Sequence, residues 1–146
     1  MWNDRKSLIL SKVCVVLFMV MLVICAVLAP GGFGIVFRSV PDSRKPLFLL
    51  TVYLGCIPAA ALLGLLYSIL HRLGTGQVFV GINARCLRYI SWCCFAGAII
   101  SLVSSFYWIA WLAVSVAAAF MGLIVRVVKN ILAKAISLQD EADYTI

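Results

Sequence analysis

Charge is what this sequence has least of. Only 12% of its 146 residues are charged, five residues are acidic, and 65% are hydrophobic. A soluble domain carries about a quarter charged residues and roughly half apolar ones. This chain cannot cover itself with polar surface in water, so its solvent must be lipid. Histidine is scarcer still, with His71 standing alone. Six cysteines occur, Cys14, Cys25, Cys56, Cys86, Cys93 and Cys94, yet none forms a C-x-x-C pair. The spacing of a zinc or dithiol site is therefore missing. Cysteines in apolar surroundings read as small hydrophobes, and no metal or cofactor is expected. Residues 89–125 hold no charge. Ion and proton pathways normally announce themselves by ionisable groups within the membrane, so this absence argues against one.

What remains is a set of long apolar blocks. Residues 13–29 carry no charge, and a helix over about 8–29 matches a hydrocarbon thickness of roughly 30 Å. Lys12 sits near its start, where its stem can reach the interface. Pro30, Gly31 and Gly32 stop it. A cleavable signal peptide ending at Ala29 is the rival reading, disfavoured because the apolar stretch exceeds the usual length. Residues 33–46 are too short to span and read as an exposed loop with an interfacial or strand-like lip, turning at Pro41, Asp42 and Ser43. Residues 47–70 are uncharged and can span with some tilt. Pro58 in their middle is a kink, static or hinge-like. Residues 89–125 are too long for one helix, at about 55 Å, and suit two helices joined at residues 104–108, with aromatics at headgroup level. Small residues offer close-packing faces: Gly55, Ala59, Ala60 and Gly64 on the second helix, Cys93, Gly97, Ser101 and Ser105 on the third, Ser115, Ala118, Ala119 and Gly122 on the fourth.

Residues 71–92 form the one long polar interruption. Gly74, Thr75 and Gly76 break the second helix. From Gln77 a short amphipathic helix is expected, with Phe79, Ile82 and Cys86 as its apolar stripe and Arg85 and Arg88 reaching headgroups. Asn83 lies between these faces and is placed to cap the helix or to bond the preceding loop. The stretch is either an interfacial anchor or a recognition surface for a cytoplasmic partner or anionic ligand. Beyond Arg126 a helical stripe of Val128, Ile131, Leu132, Ala135 and Ile136 continues the last helix into the interface. A tail from about 137 holds three of the five acidic residues.

The expected fold class is an all-α integral membrane protein, one domain over residues 1–146. It has four transmembrane helices, at about 8–29, 47–70, 86–104 and 108–128, and a short amphipathic interfacial helix between helices two and three. The net charge of +7 flanks apolar segments, so it reads as topology and anionic lipid rather than direct nucleic-acid binding. With four spans, nine of the twelve basic residues fall on the side of the termini and Arg38, Arg44 and Lys45 on the other. That asymmetry places both termini in the cytoplasm.

Two stretches carry a resemblance. One is G-x-x-F-x-x-x-N-x-x-x-L-R, here Gly76, Phe79, Asn83, Leu87 and Arg88. The other is the ending LQDEADYTI, with Glu141, Asp143, Thr145 and Ile146. With four spans and the opening MWNDRKSLILSKV, the chain resembles, over essentially its whole length, the bacterial membrane family called domain of unknown function 2975. Tyr144 stands where leucine is more usual and Ser91 where glycine is. The resemblance implies a bacterial inner-membrane protein, often encoded beside a small helix-turn-helix repressor, and it implies no catalytic residue.

Three functions are weighed. The first is a non-enzymatic regulator that acts through a small cytoplasmic DNA-binding partner, with Phe79, Asn83, Arg85, Arg88, Glu141, Asp143, Tyr144 and Ile146 as the candidate surface. In its full form the tail folds back on residues 74–88, Leu138, Tyr144 and Ile146 meeting Phe79 and Ile82; the plain alternative is a solvated tail. The second is a small transporter subunit or an immunity protein against membrane-active peptides, motivated by Pro58 and the glycines of helix two. The third is a membrane enzyme, for which cysteine redox is the one available chemistry; Cys93 and Cys94 sit in lipid, where a thiolate is disfavoured. Homo-oligomerisation is left open.

Overall fold

The computed structural model describes residues 4–31, 34, 38–77 and 81–144. They form four long helices: α1 (Asp4–Leu28), α2 (Lys45–Gly74), α3 (Gly81–Ser104) and α4 (Ala110–Tyr144). Single 3-10 turns follow α1 at Ala29–Gly31 and precede α2 at Asp42–Arg44. No strand occurs among the described residues. All four helices are long and apolar enough to cross a membrane.

The boundaries follow local chemistry. α1 passes into its 3-10 turn at Ala29, one residue before Pro30, as expected where proline denies the next turn its hydrogen bond. α2 carries Pro46 in its first turn, where the missing N–H is harmless. It runs unbroken through Pro58 to Gly74. There the chain turns, with Thr75, Gly76 and Gln77 donating back to carbonyls of Arg72 and Leu73. Gly76 takes a φ of 84°, a conformation that disfavours any residue with a Cβ. The α3–α4 turn falls where the sequence put it. Ser105 N–H reaches Ser101 O at 3.0 Å, and Tyr107 and Trp108 bond Ser104 O at 3.2 and 3.3 Å.

Several expectations change. Residues 81–88 are the first two turns of α3, not a helix of their own, because no glycine or proline separates Ile82 from Phe95 to end one helix and start another. The earlier part of that predicted helix, residues 78–80 with Phe79, lies outside the described residues. α4 starts at Ala110 and, as the stripe beyond Arg126 suggested, continues past 128, though further than that stripe; its 35 residues reach about 52 Å by the usual rise. The acidic tail is thus helix as far as Tyr144. The strand-like lip near residue 35 falls largely outside the described residues.

Neighbours in sequence are neighbours in space. α3 packs between α2 and α4, and α1 packs chiefly on α2. The α2–α3 seam holds Ile69, Cys86, Ile90 and Cys94, with Leu62, Leu65, Leu66 and Leu73 against them. The α3–α4 seam is the closest. A Cβ on Gly122 would stand 3.2 Å from both Cys94 Cβ and the Phe95 ring. Ser91 Oγ donates to Gly122 O at 3.1 Å, and Ser115 Oγ donates to Ala98 O at 2.8 Å. Small residues and cross-helix hydroxyls hold helices together where lipid removes the hydrophobic drive. The stripe on α3 is displaced from the predicted one: Cys94, Ala98 and Ser101 are buried, while Cys93, Gly97 and Ser105 are only partly so. On α2, a Cβ at Gly55 or Gly64 would meet nothing within 4 Å, so these glycines do not mark a close helix approach.

Candidate functional site

The antiparallel order of the helices gathers most of the basic residues at one end of the bundle. The start of α1, the end of α2, the start of α3 and the later turns of α4 meet there. Lys12 Nζ lies 3.2 Å from where a Cβ on Gly74 would stand, which sets the start of α1 beside the end of α2. Arg72 Nη1 donates to Cys86 Sγ at 3.4 Å, tying α2 to α3.

The structure places six of the eight candidate residues. Asn83 is 1% exposed, and its Nδ2 donates to Gln77 O at 2.8 Å. It therefore braces the α2–α3 connection, as its placement between two faces suggested, and offers no surface to a partner. Arg85 and Arg88 are exposed on the first turns of α3. Glu141, Asp143 and Tyr144 are exposed on the last turns of α4, Tyr144 at 91%. Phe79 and Ile146 lie outside the described residues, as does Thr145.

Among the described residues the two motif regions do not meet. The Ser91–Gly122 and Ser115–Ala98 bonds set the register of α3 against α4, which puts Gly81 level with residues near 132. Tyr144 then lies about 18 Å further along the helix. For the described tail, through Tyr144, this geometry excludes a fold back on residues 81–88. The physical reason is that residues 126–144 contain no glycine or proline to end the helix, so each residue adds a backbone hydrogen bond and α4 continues. The projecting end carries its own pattern. Asp140, Glu141, Asp143 and Tyr144 fall within about 160° of helical arc.

Of three further features, sequence reasoning reached only the third, through the glycines of helix two. First, Arg88 and Trp92 on α3 and Arg126 and Lys129 on α4 border a hollow of about 150 Å³, with Ser91 and Phe95 completing its walls. Second, a hydroxyl cluster locks the opposite end. Thr51 Oγ1 and Ser104 Oγ stand 2.8 Å apart, and Tyr107 donates to Thr51 Oγ1 at 2.7 Å. Arg44 Nη1 donates to Tyr107 O at 2.7 Å, and Phe48, Trp108 and Trp111 form an aromatic triangle with centroids 5.7 to 6.3 Å apart. Third, a hollow of about 270 Å³ between the helices is bordered by Gly55, Gly97, Thr51, Ser101 and Trp111. Its polar groups are hydroxyls, an indole and the Cys56 thiol, and no charged side chain borders it. The spacing of Thr51 and Ser104 could not be paired from sequence, because nothing local states which turn of α2 faces which turn of α3.

Among the described residues no group of three His, Cys, Asp or Glu side chains is placed to hold a metal. The cysteines are free, Cys86 and Cys94 buried and Cys14 exposed.

A model of the family described as "Protein of unknown function (DUF2975)" matches residues 38–146. The match takes in α2, α3 and α4 and leaves α1 outside. No curated protein and no solved structure matches the chain.

Proposed function

We propose that this chain, which belongs to the DUF2975 family, is a non-enzymatic regulatory protein of the bacterial inner membrane that acts through a small basic cytoplasmic partner, such as a helix-turn-helix repressor. The observation that carries this reading is the end of α4, an exposed helix that runs about 18 Å past the start of α3 and presents Asp140, Glu141, Asp143 and Tyr144 on one half-face. A DNA-reading surface is rich in Lys and Arg because it must neutralise phosphates. A helix bearing carboxylates complements such a surface and would compete with DNA for it. Arg85, exposed at the same end, would contact acidic groups at the rim of the partner. Both termini would be cytoplasmic by the nine-to-three distribution of basic residues, with the first two turns of α3 at the headgroup level.

The test is affinity capture of the tagged full chain from membranes in mild detergent, beside a triple variant carrying Asp140→Asn, Glu141→Gln and Asp143→Asn. A DNA-binding protein retained by the wild type and lost from the variant is the expected result. Equal recovery from both, or recovery of no DNA-binding protein from either, overturns the reading. Orientation is checked in intact cells with a cysteine at position 140, which should resist an impermeant thiol reagent.

A small transporter subunit or immunity protein is the second reading, supported by the hollow beside Gly55. Solute flux in proteoliposomes separates it from the first.

A further inference from the structure

We propose that the hollow between α3 and α4 bordered by Arg88, Arg126 and Lys129 is a binding site for a phosphate oxyanion, supplied by the headgroup of an anionic lipid. Three cationic side chains from two helices border one space of about 150 Å³. Among the described residues none of the three has an ion-pair partner, and the Asp42–Lys45 pair lies at the other end of the bundle. Bringing like charges together without an anion between them is unfavourable, so the arrangement is complete only with a counter-charge in the space. Arginine suits that ligand, because its planar fork donates two parallel hydrogen bonds to a phosphate. The volume is of the order in which an engineered cavity elsewhere holds benzene, room for one phosphoryl group.

The walls decide the source. The α3 side chains Cys86, Ile90 and Cys94 face the α2 seam. Arg88, Trp92 and Phe95 lie roughly on the opposite side of the helix at 100° per residue, so the hollow opens on the flank of the bundle, away from α2. Trp92 is 63% exposed, the habit of an aromatic residue at a membrane interface. Arg126 and Arg88 bound the charge-free stretch of residues 89–125, which sets the hollow at headgroup depth. Basic pockets between helices at that depth take acidic headgroups. Ser91 is buried with its hydroxyl given to Gly122 O, so it serves as floor rather than ligand. This site does not depend on the partner reading of the α4 end.

The experiment uses the full chain in nanodiscs and in detergent. Retained lipid is measured by native mass spectrometry from discs of phosphatidylcholine mixed with phosphatidylglycerol. The wild type should enrich phosphatidylglycerol in its shell. Each of Arg88→Gln, Arg126→Gln and Lys129→Gln should weaken retention about fivefold, and the triple variant on the order of 100-fold. Lys134→Gln removes the same charge from the same helix end outside the hollow and should leave retention within about twofold. Inorganic phosphate titrated in detergent forms the second arm. Competition between phosphate and phosphatidylglycerol supports the proposal, and phosphate binding without lipid preference keeps the oxyanion site but overturns the lipid source. Equal loss in Lys134→Gln and Arg88→Gln shows a diffuse surface potential and overturns the site, as does retention unchanged in the triple variant. Circular dichroism and elution volume confirm that each variant is folded, and Arg88→Lys should keep the charge and lose part of the affinity.

Discussion

Substituting Gly122 by alanine tests the packing of the bundle at its tightest point. The added methyl would stand 3.2 Å from Cys94 Cβ and 3.2 and 3.3 Å from two carbons of the Phe95 ring. The ring can rotate, but Cys94 Cβ is fixed to the backbone of α3, so α3 and α4 must part by a few tenths of an ångström. Overpacking of this kind costs about 1–3 kcal/mol. Helix propensity returns up to about 1 kcal/mol on replacing glycine by alanine. The net expectation is a loss of about 0.5–2 kcal/mol, rising for Gly122→Val, whose two γ-methyls cannot all avoid the α3 face. The separation also lengthens the Ser91 bond to Gly122 O, now 3.1 Å. Gly97→Ala is the paired control: on the same seam by sequence pattern, its Cβ would meet nothing within 4 Å, so it should be neutral or stabilising. Reversible unfolding by titrating SDS into mixed micelles, followed by circular dichroism, gives both free energies. A stabilised Gly122→Ala, or equal losses at Gly97 and Gly122, would refute the reasoning.

Thr51→Val should cost about 1–2 kcal/mol by the same assay, since it removes the group that Ser104 and Tyr107 share. In a double-mutant cycle with Ser104→Ala the two losses should fall short of additivity by about 0.5–1.5 kcal/mol; strict additivity would mean the bond contributes nothing. Arginine at Ile100 or Val114 should impair insertion by about 2.5–3.5 kcal/mol, and arginine at Ser105 by much less because Ser105 is in the turn; glycosylation-based insertion assays read this, and equal effects would misplace the turn. Cys86 paired with a cysteine at Tyr144, in a background lacking the other five thiols, should give no intramolecular disulfide, because the register separates them by about 25 Å along α4. A rapid cross-link would restore the folded-back tail.

The order and extent of the long helices were legible because they depend on one-dimensional facts. Charge-free runs, the Pro30–Gly31–Gly32 stop and the Ser104–Trp108 break are visible in order along the chain, and lipid leaves the backbone few alternatives to helix. Facing was less legible. A membrane helix is apolar all round, so periodicity barely distinguishes the seam from the lipid side. The stripe of Cys93, Gly97, Ser101 and Ser105 lies beside the true one, and only Ser101 is buried on both counts. Gly55, Gly64, Gly97 and Gly122 look alike in sequence, yet only Gly122 of these four would bring a Cβ into contact. The motif residues split in the same way. Gly76 and Asn83 shape the α2–α3 connection through a positive φ and a side-chain bond, while Arg88 stays exposed. A shared motif thus mixes residues that build the turn with residues that face outward, and sequence alone could not separate them.

The two ends of the bundle are held by different forces, and that difference bears on how the α4 end can act. At the end bearing Arg44, buried hydroxyls and three aromatic rings fasten α2 to the α3–α4 turn. At the basic end, α3 meets its neighbours through the Ile69, Cys86, Ile90 and Cys94 cluster, a thiol–guanidinium bond, a glycine seam and the Ser91 hydroxyl. Beyond residue 132, α4 has no α3 beside it. Force applied along that length would be resisted where α4 packs on its neighbours, from Val125, which lies against the Ile69, Cys86, Ile90 and Cys94 cluster, to Gly122, where a Cβ would stand 3.2 Å from Cys94 Cβ. The hollow of Arg88, Arg126 and Lys129 lies within that lever arm, one to two turns from Gly122. An anion bridging the two helices there would hold α4 against α3 at the place where the arm would otherwise pull them apart. Its loss would leave the packing at Val125 and Gly122 to hold the helices together, so the Gly122→Ala and Arg126→Gln changes act on one mechanical element and should weaken it more together than either does alone.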